Sequence, residues 1–260
     1  MALEEHVDAQ AAVTAAREAI PTLMASSDEA VLRSLLDNPA FDATHVCLLL
    51  ERKDLSGLIL EEISKRRTWR AAYRIRLGLA AHPHTPRLIA MRLLRELNLM
   101  DLVRISLLTT SPMELRRLAE ERILTQLAQL PLGQKIMLAR RGSTRIAAGL
   151  VLHGPEQVAR VALSNSFLTE SQLLKTLTKE TLSARIVAAV ARHDKWSKLI
   201  NVRVALLRHP AISADHVPVL LPGLPRRDIE DLLGLSRLQE TVRSLLQEEL
   251  THRKNNGELS

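Results

Sequence analysis

Basic and aromatic residues are interleaved in one stretch of the chain, WRAAYRIRLGLAAHP, which runs from Trp69 to Pro83. Arginine can bind phosphate and an exposed ring can stack on a base, so this composition fits nucleic-acid binding. The same spacing also fits one amphipathic helix of a repeated scaffold. The candidate binding residues come from this stretch, from the two arginines just before it and from a second basic cluster at 135–145. They are Arg66, Arg67, Arg70, Arg74, Arg140, Arg141 and Arg145.

Histidines raise the question of a metal site, because a His-x-His pair at 82–84 is joined in the sequence by His209 and His216. A zinc site takes about four ligands. The chain offers a single cysteine, Cys47, and no His-Glu-x-x-His pattern. The histidines at 82 and 209 also stand where helices are predicted to end, and there they can serve the last carbonyls. We therefore predict no metal and no cofactor.

Catalytic motifs do not emerge from the sequence. The stretch LGQK at 132–135 is similar to a phosphate-binding loop, but Ala128 stands where that pattern needs its first glycine. Gly142-Ser143-Thr144 leads into basic residues rather than a nucleophile elbow. Cys47 lies between Val46 and Leu48, an apolar setting that favours an inert thiol. We predict no catalytic residue and a non-enzymatic protein.

The composition indicates which elements must position these residues. Of the 260 residues, 46% are hydrophobic and only 2% are aromatic, so the core consists mainly of leucine, alanine, valine and isoleucine. Strands favour β-branched and aromatic residues, whereas this mixture suits helices packed on helices. Nine glycines and eleven prolines are few for a chain rich in tight turns. The sequence therefore predicts an all-α protein.

Charge and targeting signals favour a basic cytoplasmic protein. The net charge is +7, but residues 1–30 carry six acids against one arginine, so the remaining 230 residues carry +12. Such a body can attract acidic proteins or nucleic acid. The start of the chain lacks the features of a signal peptide, and no apolar run predicts membrane insertion. We expect one continuous domain over 1–252 and a disordered tail over 253–260.

The chain contains an internal duplication with an offset of 127 residues. Residues 31–106 align with 158–233 without a gap, and the only two tryptophans, Trp69 and Trp196, fall in register. The matches also include Asn38 with Asn165 and the His-Pro pairs at 82 and 209. Within each copy, the asparagine precedes the histidine by 44 residues. This period is typical of HEAT and armadillo helical units.

Two stretches resemble the signature of leucine-rich repeat variant proteins, V-R-x-A-L-x-x-N-P-x-T. One contains Val202-Arg203, Ala205-Leu206 and His209-Pro210, followed by Ser213, and the other contains Ile75-Arg76, Leu79, His82-Pro83 and Thr85-Pro86. These proteins are close in form to HEAT repeats, although the period here is longer than theirs. The iron–sulfur cysteine cluster of one such protein has no counterpart here. The resemblance implies a right-handed α-solenoid of HEAT-like helical pairs and implies no activity.

Several polar and aromatic residues belong to the repeat and are predicted to be structural. They are Trp69, Arg76, His82, Asp101, Trp196, Arg203, His209 and Asp228. Each recurring arginine precedes a recurring aspartate by 25 residues, about one helix, a corner and a further helix. The two groups can pair across a repeat boundary, or each aspartate can instead cap its own helix.

These observations predict a scaffold that binds a macromolecule along its concave surface. A protein partner is the first expectation, because an acidic peptide or helix would suit the positive body. The alternative is a nucleic-acid-binding HEAT-like protein, including one of DNA glycosylase type, which needs a catalytic aspartate beside exposed aromatics. The sequence leaves the oligomeric state open.

Overall fold

Helices form all the regular secondary structure of the described residues. The computed structural model describes residues 9–255, and no strand occurs in that range. The predicted all-α class is therefore confirmed. The helices fall into two compact units, Met1–Thr125 and Gln126–Ser260. The division lies in the central segment, and the continuity of one domain over 1–252 stays a prediction.

The first unit is helical at residues 9–14 and at a single 3-10 turn, Arg17–Ala19. Its α-helices are α1 (Ile20–Met24), α2 (Glu29–Leu36), α3 (Ala43–Leu49), α4 (Gly57–Lys65), α5 (Arg67–Ala71), α6 (Tyr73–Ala81), α7 (Arg87–Leu94), α8 (Leu99–Leu107) and α9 (Met113–Gln126). Helix α2 packs against α4, and α3 packs against α6. Apolar side chains such as Ile59, Ile63 and Leu79 are fully buried between these helices.

The second unit contains α10 (Leu132–Arg141), α11 (Thr144–His153), α12 (Glu156–Leu163), α13 (Glu170–Leu177), α14 (Ala184–Ala191), α15 (Ile200–Arg208), α16 (Val217–Leu220), α17 (Arg226–Leu233) and α18 (Glu240–Asn255). Its 3-10 turns are Leu127–Gln129, Trp196–Lys198 and Ala214–His216. Helices α10, α12 and α14 contact one another in sequence, as do α11, α13, α15 and α17. Alternate helices thus form two rows, with the apolar core between them.

Helix α12 is amphipathic, with one face in the core and the opposite face exposed. Val158, Ala159, Ala162 and Leu163 are buried, whereas Arg160 is exposed and pairs with Glu156 one turn earlier. Positions three and four apart lie on one helix face, so this spacing separates an apolar stripe from a charged one. Burial of the stripe against neighbouring helices stabilises the row.

Helix boundaries repeat at the same offset of 127 residues as the sequence. Helix α2 corresponds residue for residue to α12, and α6 corresponds to α15. The correspondence breaks at α7, where the second unit has the turn Ala214–His216 followed by α16. Pro218 lies in the first turn of α16 and lacks an N–H group, so it can begin a helix there but cannot continue one.

Two buried asparagines fasten equivalent corners. The Asn165 amide donates to the carbonyls of Ala139 and Gly142 at 2.8 and 3.1 Å, and its oxygen accepts from the N–H of Phe167 at 2.7 Å. Asn38 makes the same three bonds in the first unit, at 2.8–2.9 Å. Each asparagine therefore ties the end of one helix to an earlier one.

The recurring histidines bond earlier corners of the chain and not the ends of their own helices. His82 and His209 do follow helices α6 and α15, but their Nε2 atoms bond the carbonyls of Arg52 and Lys179, at 2.7 and 3.2 Å. Those carbonyls lie 30 residues earlier in the chain, not in the histidine's own helix. Each Nδ1 accepts from the N–H two residues later, so the neutral tautomer carries its proton on Nε2.

The start predicted for the disordered tail is wrong for three residues. Arg253–Asn255 are the last residues of α18. Arg253 pairs with Glu249 at 2.7 Å and donates to the Leu224 carbonyl at 2.7 Å, which fixes the helix end. The rest of the predicted tail, 256–260, lies outside the described residues.

Candidate binding groove in the second unit

Arg66 is engaged in structure rather than free to bind a ligand. Its guanidinium donates to the Leu36 carbonyl at 2.6 Å, pairs with Asp37 and lies 4.7 Å from the centre of the Trp69 ring. The place of Arg66 on a binding surface stays a prediction. The side chain is occupied by holding α4 and α5 against the end of α2.

The other predicted arginines fall into two groups that lie in different units. Arg67, Arg70 and Arg74 are exposed in the first unit. In the second unit Arg140 and Arg141 are exposed, whereas Arg145 is half-buried and makes polar contacts of its own. Of these seven, Arg140 borders a shallow depression between α10 and α12, which Arg160, Val161 and Ser164 also line. None of the seven lines the two larger depressions described below.

The predicted pairing of recurring arginines with recurring aspartates is wrong. Among the described residues, Arg76 pairs with Glu96 at 3.4 Å, and Asp101 accepts from the Tyr73 hydroxyl. Arg203 donates to the backbone carbonyls of Ser197 and Pro222.

The alternative, that each aspartate caps its helix, is also wrong. Asp101 and Asp228 are the third residues of α8 and α17, whose N-cap positions are held by Asn98 and Pro225. Their carboxylates still lie near the positive end of the helix dipole, which is a sufficient reason for an acid to recur there.

Both tryptophans are packed, as the repeat predicts. Trp196 is fully buried and its indole N–H donates to the Leu163 carbonyl at 2.7 Å. Trp69 is 8% exposed and meets Phe41 edge to face. Neither ring is available to stack on a base, so residues 69–83 offer cations without the exposed tryptophan that base recognition would use.

A groove of about 860 Å³ lies along α12 and α14 and reaches the turn before α16. We call it the α12–α14 groove. Its lining combines three arginines, two histidines, three acids, two serines and three alanines. These residues are Arg160, Arg185, Arg192, His193, His216, Glu156, Asp194, Asp215, Ser164, Ser213, Ala184, Ala188 and Ala189.

The first unit has acids where the groove has alanines. In α4, Lys65 pairs with Glu61 and Glu62 at 3.1 and 3.4 Å. The equivalent residues of α14 are Arg192, Ala188 and Ala189. The cation is thus kept in the second unit while both of its carboxylate partners are lost. Within the described chain Arg192 is exposed and has no ion-pair partner.

Polar groups have also replaced apolar ones around the groove. Arg185 stands where the first unit has Leu58, and His216 stands where it has Ile89. Ser213 similarly replaces Pro86. At the position of Arg185 the first unit forms the equivalent helix with a leucine, so that helix does not need the arginine.

His216 forms part of the groove floor, and its polar atoms are unsatisfied. The residue is 8% exposed, and neither ring nitrogen has a hydrogen-bond partner within the described chain. A buried polar group without a partner costs stability, so its presence requires an explanation other than folding. The recurring corner histidines, His82 and His209, use both nitrogens.

The groove holds no nucleophile activated by a base. His193 Nε2 lies 3.2 Å from the Ser164 hydroxyl, but its Nδ1 accepts from the N–H of Lys195 at 3.2 Å. The neutral ring therefore carries its proton on Nε2, which faces Ser164 and cannot take a proton from it. Burial lowers the pKa of His193, which favours this neutral form. The described residues also contain no group of three or more His, Cys, Asp or Glu side chains that could hold a metal ion.

The cations of the groove differ in how far they are already paired. Arg160 meets Glu156 at 2.6 Å, and Arg185 approaches the same carboxylate at 3.8 Å. The Ser213 hydroxyl donates to Asp215 at 3.3 Å. Arg192 is left as the cation that a ligand would meet unpaired.

A second depression, of about 530 Å³, lies on the other row along α13 and α15. Asp228 and His209 border it, and Arg208 lies on its rim. His209 is already hydrogen bonded through both nitrogens, and the groups here include no buried polar atom without a partner. This depression is consequently the weaker candidate.

Comparison of the chain with models of protein families, with curated proteins and with solved structures finds no match. No helix within residues 9–255 has the length and apolar character needed to cross a membrane.

Sequence reasoning missed Arg185, Arg192 and His216 as site residues. Positions that match between the two copies are those that the fold requires. The three candidate residues lie at or near positions where the copies differ, such as Leu58 with Arg185 and Ile89 with His216.

Proposed function

We propose that the chain is a HEAT-like α-solenoid, right-handed and built on a duplicated set of helical pairs, that acts as a non-catalytic scaffold. The alternating rows of the second unit and the shared helix boundaries at an offset of 127 residues support this architecture. Such repeats commonly bind partners along an extended face. The resemblance to leucine-rich repeat variant proteins points in the same direction.

The α12–α14 groove is the proposed binding surface, and one observation carries it. Compared with the first unit, the groove has lost the two carboxylates that pair with the cation of α4, has gained Arg185 and has acquired a buried imidazole without a partner, while Asp194 and Asp215 stand where the first unit has Arg67 and Leu88. Changes that cost stability are retained where they serve function. Helices α4 and α14 begin at equivalent residues, so the exchanges within α14 are not needed to form the helix.

A protein partner fits the groove better than a nucleic acid does. Three acids, Glu156, Asp194 and Asp215, lie among its three arginines. A phosphate backbone is bound most favourably by a surface of one sign. A protein segment carries both signs and backbone hydrogen-bonding groups, which this mixture can satisfy.

Site-specific photocrosslinking in the producing cell tests this proposal. A photoreactive amino acid is placed at Ala189 in the groove and, in a matched control, at Glu62, the equivalent position of the first unit. We expect a discrete protein adduct from position 189 that survives nuclease treatment and is absent from position 62. Equal adducts at both positions, or an adduct that nuclease removes, would contradict the proposal.

Nucleic-acid binding is the second candidate, and it rests on the first unit. Arg67, Arg70 and Arg74 are exposed there, and no acidic side chain of the described chain pairs with them. If they bind DNA or RNA, log affinity should fall linearly with log salt between about 50 and 200 mM, with a slope near −0.9 per phosphate contacted on duplex DNA. A flat response, or equal binding after replacement of all three by glutamine, removes this candidate.

A further inference from the structure

We propose that the α12–α14 groove recognises an aspartate or glutamate side chain of the partner protein, with Arg192 binding the carboxylate and His216 adding a hydrogen bond from the floor. This inference rests on the proposed scaffold function and names the chemistry that its binding surface selects. It commits to an acidic protein segment as the occupant.

Charge complementarity leads to one carboxylate. Arg160 and Arg185 already share Glu156, at 2.6 and 3.8 Å, so Arg192 is the one of the groove's three arginines without an ion-pair partner in the described chain. A carboxylate brings a charge of −1, whereas a phosphoryl group brings about −1.5 to −2. Asp194 and Asp215 border the same groove and would repel the more highly charged group. The two aspartates therefore disfavour a phosphoryl group more than a carboxylate.

Space for the incoming side chain comes from the alanines of α14. Ala188 and Ala189 replace the glutamates that reach Lys65 in α4. In the first unit Glu61 and Glu62, which lie four and three residues before Lys65, supply two carboxylates to its ammonium group. In the second unit the same position around Arg192 is open, so a carboxylate from another chain can take the place of the missing ones.

His216 supplies the second contact. Its ring lies in the floor with both nitrogens shielded and without partners. Rotation of a histidine ring about χ2 has a broad energy profile, so a turn that presents one nitrogen to the groove is accessible. A carboxylate oxygen would then accept from the imidazole N–H, and the stabilising contact missing in the free protein would form on binding.

The test uses the full chain and two fluorescein-labelled peptides, one of alternating glutamate and alanine and one of alternating glutamine and alanine, titrated at low salt by fluorescence polarisation. We expect the glutamate peptide to bind and the glutamine peptide to bind at least tenfold more weakly. Arg192→Ala should weaken the glutamate peptide by about tenfold to a hundredfold, as expected for one charged hydrogen bond. The matched control Lys65→Ala should change it by less than about twofold.

A second variant restores the residues of the first unit. Ala188→Glu with Ala189→Glu gives Arg192 internal carboxylates and should abolish peptide binding, while the helical circular dichroism stays that of the wild-type protein. Because this variant keeps Arg192, a loss of binding would show that internal carboxylates block the guanidinium, whereas Arg192→Ala removes the guanidinium itself. Unchanged binding in this variant overturns the inference.

The remaining outcomes separate this inference from the proposed function. Preferential binding of a phosphoserine peptide, or equal binding of the glutamate and glutamine peptides, overturns the carboxylate assignment. If the crosslink at position 189 persists in either case, the scaffold function stands and the partner is recognised by other chemistry. Absence of the crosslink removes the proposed binding surface, and the inference with it.

Discussion

Replacement of His216 by isoleucine should stabilise the protein, although it changes a buried residue. The substitution restores the residue of the first unit, Ile89, at the equivalent position. In the native chain the imidazole is 8% exposed and both nitrogens lack a partner. Leaving a buried polar group unsatisfied costs about 1–3 kcal/mol, and an apolar side chain of similar size does not carry this cost. We therefore expect the free energy of unfolding to rise by about 1–3 kcal/mol.

Urea unfolding followed by circular dichroism measures this change. The midpoint concentration should rise while the slope m stays constant, because the surface exposed on unfolding hardly changes. In a thermal scan the same gain corresponds to an increase in Tm of about 2–12 °C, at roughly 2–4 °C per kcal/mol for a chain of this size. The variant should at the same time lose affinity for the acidic peptide.

His209→Ile is the matched control and should act in the opposite direction. His209 is 3% exposed, but its nitrogens bond the Lys179 carbonyl and the Ala211 N–H, at 3.2 and 3.1 Å. Isoleucine there strands both backbone groups and should lower stability by about 1–3 kcal/mol. A destabilising His216→Ile, or the same sign for both variants, would refute the reasoning that His216 is retained for binding.

Three further predictions concern the corners and the core. Asn165→Ala should destabilise the protein by about 2–4 kcal/mol in urea unfolding, because two carbonyls and one N–H lose their buried partner; a loss below about 0.5 kcal/mol would contradict that role. Trp196→Phe should cost about 1–3 kcal/mol, since the Leu163 carbonyl is left unpaired, and an unchanged urea midpoint would argue against it. Burial lowers the pKa of His82 below 6.5, so the unfolded state binds the proton more readily than the folded state. The contribution of His82 to stability is present above about pH 6.5 and should be lost as the pH falls below that value. His82→Asn should therefore reduce the fall in Tm between pH 7.5 and pH 5, and an identical fall would refute the link.

The helical class and the helix register could be predicted because they depend on local patterns. The apolar spacing of α2 and α12 and the prolines after corners indicate where helices lie, and the offset of 127 residues holds without deviation for α2 with α12 and for α6 with α15. Residues such as Trp69 and Trp196 recur because packing constrains them, and their burial follows from the same pattern. Local periodicity reports which face of a helix meets the core.

The partners of polar side chains could not be predicted in this way. A spacing of 25 residues is compatible with pairing of Arg76 and Asp101, yet Arg76 meets Glu96 and Asp101 meets Tyr73. Hydrogen bonds and ion pairs depend on ångström-scale positions of side chains on different helices, and several acids compete for each cation. Sequence separation restricts which elements meet and does not choose among neighbouring side chains.

By itself, the sequence determined that the chain is helical, that residues 31–106 are repeated at 158–233 and that asparagines and histidines recur at equivalent corners. Only the tertiary structure decided which of these groups have partners. It engaged Arg66 with Leu36 and Asp37, and it left Arg192 and the buried nitrogens of His216 without partners beside one groove. The physical reason is that availability for binding is a property of three-dimensional surroundings: a charge is free only when no neighbouring group satisfies it, and its neighbours come from distant parts of the chain.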